Sequence, residues 1–177
     1  MPVLDCGAST LLAIDFQARL IPVIEDAEDV LTNARRLLDI AARLGIPRLF
    51  TEQNPAGLGA TVGDLAPREG EVFHKMTFDA SRAEGLLESL PANNVLIVMG
   101  CEAHVCVLQT VLGLLSGKRE VYIVRDAIGS RRLESKEAAL RRMERHGAEI
   151  VTVEMVMFEW LDTCEHPQFR NIVKLIK

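Results

Sequence analysis

The sequence predicts an α/β fold, with a mostly parallel sheet of about six strands covered by helices on both faces. Three observations carry this. Short apolar runs that read as strands alternate with stretches of helical periodicity. One run, Val95-Leu96-Ile97-Val98-Met99, is apolar at every position, as a strand buried on both faces must be. Strands that alternate with helices imply right-handed crossovers between parallel neighbours. The 177 residues fit one domain spanning positions 1–177 and are enough to build a sizeable core. Hydrophobic residues make up 49% and charged residues 25%, a balance that disfavours disorder.

The first element is the apolar run Thr10 to Ile14, a buried strand closed by Asp15. An amphipathic helix follows. Asp26 is placed to cap it, Asp29 adds negative charge in its first turn, and Val30, Ala34, Leu37, Leu38, Ala41 and Leu44 recur at helical spacing. Gly45 stops it and Pro47 lies beyond. Positions 46–51 read as the second strand. The polar, glycine-rich stretch from Glu52 to Gly70 is long for a connection, and such loops are often functional. Val72 to Lys75 reads as a short strand, and Ser81 is placed to cap a helix through Leu90, ended by Pro91. The central strand, 95–99, ends at Gly100. A mostly apolar helix is expected from His104 to Leu115, with Gly117 after it. Strand 121–124, helix 134–146, strand 150–153 and helix 155–161 follow, and the tail from His166 to Lys177 reads as a last helix.

The net charge of −5 argues against bulk nucleic acid, where a basic face supplies most of the affinity. No apolar run approaches the roughly 20 residues that span a bilayer. Met1 to Cys6 shows no basic region followed by a long apolar one, so no secretory signal and a cytoplasmic setting are expected. In that compartment Cys6, Cys101, Cys106 and Cys164 are thiols, and none pairs as CxxC or has zinc spacing.

Sites in parallel sheets form beyond the carboxyl ends of the strands. Three polar features lie there: Asp15, Glu52-Gln53-Asn54, and the turn from Gly100 to Cys106. Cys106 falls in the opening turn of a helix, where unpaired N–H groups and the macrodipole favour a thiolate and lower its pKa. A buried structural cysteine is an equally good reading of position alone. Asp15 is a candidate base for the thiol proton, against the plainer reading of a turn aspartate. Lys75, between apolar neighbours in Phe73 to Phe78, is either a surface lysine or a buried one that needs an acidic partner. Together they suggest nucleophile, base and orienter, although no spacing rule brings them together.

Asp15 after Leu11-Leu12-Ala13-Ile14, the His74-Lys75 segment, and Gly100-Cys101-Glu102-Ala103-His104-Val105-Cys106 resemble the isochorismatase-like cysteine hydrolases. The similarity is greatest to the isochorismatase domain-containing subgroup, through Thr51 to Gly59 and His166-Pro167-Gln168-Phe169 through Lys174 to Lys177. It covers nearly the whole chain in the same order. The resemblance implies a three-layer αβα sandwich and an Asp15, Lys75, Cys106 triad. It also implies a cis peptide between Cys101 and Glu102, and an oxyanion hole from the backbone N–H groups of Glu102 and Cys106. The implied chemistry is acyl transfer: a thioester on Cys106 formed from a small amide or related carbonyl compound and released by water. Nicotinamidases of this superfamily hold a metal with histidines in the loop that here reads Glu52-Gln53-Asn54, so neither metal nor cofactor is expected. True isochorismatases lack the cysteine, so a vinyl ether substrate is disfavoured.

Phe16, Gln53, Phe78 and His104 are candidates for lining the substrate pocket, against plainer readings as core or loop residues. The glycines at 57, 59 and 63 fit no phosphate-binding spacing. Arg131, Arg132, Lys136, Arg141, Arg142 and Arg145 read as a solvated face paired with nearby glutamates rather than an RNA surface. Cys6 and Cys164 read as incidental. Competing functional readings are an idle oligomeric scaffold that retains the fold, and a redox-sensing thiol. A homo-oligomer is expected, with apolar surface around Met155 to Trp160 as its candidate contact.

Overall fold

Alternation of apolar side chains across each strand builds two hydrophobic layers, one on each face of a single sheet. The computed structural model describes residues 3–176; Met1, Pro2 and Lys177, the last residue of the expected tail helix, lie outside the described residues. The strands are β1 (Ser9–Ile14), β2 (Arg48–Gln53), β3 (Val72–Lys75), β4 (Val95–Cys101), β5 (Val121–Gly129) and β6 (Glu149–Val151). Every pairing is parallel and the order is β3-β2-β1-β4-β5-β6. Leu11, Ala13, Ile97, Met99, Tyr122 and Val124 face one layer, with α1 (Ala27–Leu44) and α6 (Val153–Leu161) packed over them through Leu37, Ala41, Val156 and Trp160. Their neighbours Leu12, Ile14, Leu96, Val98, Val121 and Ile123 face the other, covered by α4 (Leu108–Ser116) and α5 (Leu133–Arg145) through Val111, Leu114, Leu140 and Met143. The period of two along each strand thus feeds two cores, which is why β1 is buried at every position.

The chain runs outward from the centre in both directions. It goes β1, β2, β3 on one side and β4, β5, β6 on the other, so the order reverses between β1 and β4. Two crossovers diverge there, and a crevice opens beyond the strand ends. Asp15 sits at that switch point, directly after β1.

Several elements differ from the sequence expectation. Asp26 precedes α1 in a left-handed conformation (φ 54°), and its side chain makes no capping bond. The expected helix from Ser81 to Leu90 is broken at Gly85 (φ +76°), leaving a turn at 80–82 and α3 (Leu86–Ser89). Asp79, not Ser81, caps that turn by accepting from the Ser81 N–H at 2.8 Å. The 52–70 stretch is less irregular than expected: Glu52 and Gln53 extend β2, and α2 (Pro55–Leu58) follows. The tail forms only a four-residue helix, α7 (Phe169–Ile172), and a further turn. On α6, Trp160 is buried while Met155 and Phe158 are exposed. Among the described residues no helix is long and apolar enough to cross a membrane.

β4 does not end at Gly100 but continues through Cys101, and the peptide bond from Cys101 to Glu102 is cis. Gly100 pairs with Ile14 at φ +142°, a backbone region open to glycine. A Cβ there would collide with the Ile14 carbonyl oxygen and with Ile14 Cβ. Gly100→Ala is therefore expected to cost roughly 2–4 kcal/mol, combining strain and collision, read from the urea midpoint. A cost below about 0.5 kcal/mol, the range of a neutral surface change, would contradict this packing.

Candidate active site

Three neighbouring strand ends deliver three polar side chains to one point. Asp15 leaves β1 with φ +53° and is completely buried. The Thr51 hydroxyl on β2 donates to its Oδ1 at 2.7 Å. The Lys75 ammonium, from the end of β3, donates to its Oδ2 at 2.7 Å, and both side chains are 0% exposed. Lys75 Nζ also donates to Gln53 Oε1 at 2.8 Å, and Gln53 Nε2 donates to the Met76 carbonyl at 2.8 Å. Gln17 clasps the Gln53 backbone from the other side, accepting from its N–H at 2.8 Å and donating to its carbonyl at 3.0 Å. A buried ion pair holds only when its remaining lone pairs and protons are also satisfied, and this network satisfies them.

Cys106 arrives from β4. After the cis peptide, Glu102 opens a π-helical turn over Ala103–Val107, its carbonyl accepting from the N–H groups of Val105 and Val107 at 3.0 and 3.3 Å. That turn places the Cys106 thiol beside Asp15 and Lys75, close enough for both to act on its ionisation. The thiol is pushed up to about 12: burial is the largest cause, the Asp15 charge adds to it, and Lys75 offsets part. This corrects the expectation of a lowered pKa. The regular α-helix begins only at Leu108, so the helix-start contribution is weak where the thiol sits, and loss of water dominates. The resting cysteine is therefore a neutral thiol beside a carboxylate.

An open cleft of about 300 Å³ lies over these groups, at the lower end of the range for small-molecule sites. Asp15, Gln53, Glu102 and Cys106 form its buried part; Arg19, Leu20, Val23, Leu58, Phe78, Val105 and Arg131 complete it. Phe78 is 50% exposed at the rim. Phe16 is absent from the lining: it is 1% exposed within the core over the α1 face. His104 turns to the Ser130 hydroxyl (3.1 Å) and lines a neighbouring polar cavity with Arg131, Arg132 and Ser135. Glu52 also points away, accepting from Thr61 and pairing with His74 at 3.2 Å. Cys101 belongs to the α1-side core and Cys106 to the α4-side core, so the sheet stands between them and a disulfide reading has no geometry. Among the described residues no group of three or more His, Cys, Asp or Glu could hold a metal ion.

Four contributors were not singled out from sequence. Thr51 and Gln17 carry a signal only in hindsight of register: Thr51 pairs with Ile14, which sets it beside Asp15. Arg131 was hidden in a basic run, yet its N–H and Nε both donate to Glu102 Oε2, at 3.0 and 2.9 Å. Arg19 had no pattern to distinguish it.

A six-stranded parallel sheet between helical layers, with its crevice at the β1/β4 reversal, defines the class of three-layer α/β proteins. Residues 9–155 match the Isochorismatase domain model, and the chain belongs to the isochorismatase family, with that family's hydrolase fold. It is 36% identical to isochorismatase domain-containing protein 1 of Danio rerio, covering 98% of this chain but 62% of that protein. The chain thus spans less than two thirds of that relative's length. It is also 36% identical to isochorismatase domain-containing protein 2 of Danio rerio, covering 98% of this chain and 89% of that one. The solved structure of MAR1 ribonuclease from Caenorhabditis elegans superimposes with a TM-score of 0.93 at 34% identity, covering 99% of this chain and 92% of that one.

Proposed function

We propose that residues 1–177 act as one unit, a cysteine hydrolase that cleaves a small amide or related carbonyl compound without a metal. The observation that carries this is the Cys106 thiol held against the fully buried Asp15–Lys75 pair at the base of an open cleft. Asp15 takes the thiol proton as Cys106 Sγ attacks the carbonyl carbon. The oxyanion that forms is received by the backbone N–H groups of Glu102 and Cys106. The C–N bond breaks, Asp15 returns the proton to the leaving amine, and the acyl group stays on sulfur as a thioester. Water, deprotonated by Asp15, then releases the acid, and the proton goes back to sulfur. Lys75, donating to Asp15 Oδ2 at 2.7 Å, keeps that side chain oriented between the transfers. The burial of the thiol, the largest cause of its raised pKa, matches this order of events: the sulfur keeps its proton until substrate arrives and the neighbouring base removes it.

A loop that reads Glu52-Gln53-Asn54 where nicotinamidases carry metal-binding histidines, and a Glu52 carboxylate already shared by Thr61 and His74, support chemistry without a metal. No histidine is among the residues lining the cleft, so a ribonuclease reading, as in the name of the Caenorhabditis elegans protein, draws no support from it. Exposed Met155 and Phe158 on α6 support the proposal that the protein self-associates.

The test is a panel of small amides given to wild type and Cys106→Ala. Hydrolysis of at least one amide by wild type, falling about 10³-fold or more in Cys106→Ala, is expected. A wild-type rate that survives the substitution contradicts the mechanism.

A further inference from the structure

Charge around the cleft does not balance. Four of its lining residues carry charge: Asp15, Arg19, Glu102 and Arg131. Asp15 is matched by Lys75 behind it at 2.7 Å, and Glu102 by Arg131 at 2.9 Å. Arg19 remains. Its Nη1 donates to the carbonyl oxygens of Gly57 (2.8 Å) and Ala56 (3.5 Å), and among the described residues it meets no carboxylate. Its backbone N–H donates to the Leu58 carbonyl at 3.0 Å, so both ends of the residue are tied to the α2 loop.

Carbonyl partners fix a guanidinium in place without neutralising it. A long, flexible side chain then loses little further freedom when it binds, and its remaining N–H groups keep the fork that suits a carboxylate. The result is a pre-set, uncompensated cation on the wall of a cleft whose base carries the thiol. We propose that Arg19 receives an anionic group of the substrate, so that the substrate class is a small amide bearing a carboxylate near the scissile carbonyl. This deepens the cysteine-hydrolase reading and rests on it. Arg131 is the weaker candidate for the role because Glu102 already takes its Nε and its charge.

Alkylation by iodoacetate and iodoacetamide tests this without a known substrate, because the two reagents share shape and leaving group and differ in charge. Exposed Cys164 in the same chain is the internal reference. Rates at each cysteine are read by peptide mapping at low ionic strength. The iodoacetate-to-iodoacetamide ratio at Cys106 is expected to exceed that at Cys164 by about tenfold or more, the factor for one charge-assisted hydrogen bond. Arg19→Met should bring the Cys106 ratio down to the Cys164 value, and Arg19→Lys should retain part of the excess. Equal ratios at the two cysteines in wild type, or an excess that Arg19→Met leaves in place, overturns the assignment while the nucleophile reading stands. If neither reagent reaches Cys106, the nucleophile reading fails and takes this inference with it.

Discussion

Lys75→Met is expected to destabilise the protein by about 3–5 kcal/mol, the range for removing one partner of a buried ion pair. For a chain of this length that is a fall in Tm of roughly 6–20 °C. The reason lies in what is left behind. Asp15 is completely buried and would keep only the Thr51 hydroxyl as a side-chain donor, while Gln53 Oε1 would lose its donor. Methionine fills much of the lysine volume, so the loss is electrostatic and not a cavity. Adding Asp15→Asn removes the stranded charge, and the double variant should recover a large part of the loss. Urea unfolding of both singles and the double gives the coupling directly. A Lys75→Met cost below about 1 kcal/mol, the value of an exposed pair, would show that Asp15 and Lys75 are solvated and that the buried pair does not exist.

Asp15→Asn is the second large effect, and it separates two quantities that often move together. Turnover should fall about 10²–10⁴-fold, because the amide cannot accept the thiol proton or return it to the leaving group. The thiol, by contrast, should become easier to ionise. Asp15 is a cause of its elevation to about 12, so neutralising it lowers the value toward the ordinary range, whereas removing Lys75 raises it further. Thiolate ultraviolet absorbance, taken as the difference from Cys106→Ala, follows both shifts. The sign for stability is equally definite. Folded Cys106 keeps its proton where the unfolded thiol, near 8.5, has lost it. Its contribution is therefore fully present below that pH and is lost as pH rises toward about 12. An Asp15→Asn enzyme that retains wild-type turnover, or a thiol that becomes harder to ionise, would contradict the role given to Asp15.

The strands were legible because burial on both faces leaves only one kind of sequence, and β1 and β4 carry the unbroken apolar stretches Leu11 to Ile14 and Val95 to Met99. The helices at 86–89 and 169–172 were overestimated because capping and periodicity signals there compete with Gly85 and with tertiary docking that sequence does not display. In the site, Asp15, Lys75, Gln53 and Cys106 were legible as candidates at strand ends. Their union was not, since it depends on the parallel register that sets Gln53 against Lys75 and Ile14 against Thr51. The thiol's pKa was misread for a related reason. A helix start is a local feature, while the desolvation that outweighs it comes from residues far along the chain. Phe16 and His104 were misplaced by adjacency: each lies one or two positions from a site residue, and the backbone turns it away.

The fate of the acyl group decides whether Cys106 is the nucleophile. Rapid acid quenching of the working enzyme with a hydrolysed amide, followed by intact mass and peptide mapping, reads this directly. The expected result is an adduct of the acyl mass on Cys106, absent from Cys106→Ala, forming and decaying at rates that account for turnover. Full turnover with Cys106 unmodified at every time point, or an adduct on another residue, would contradict it.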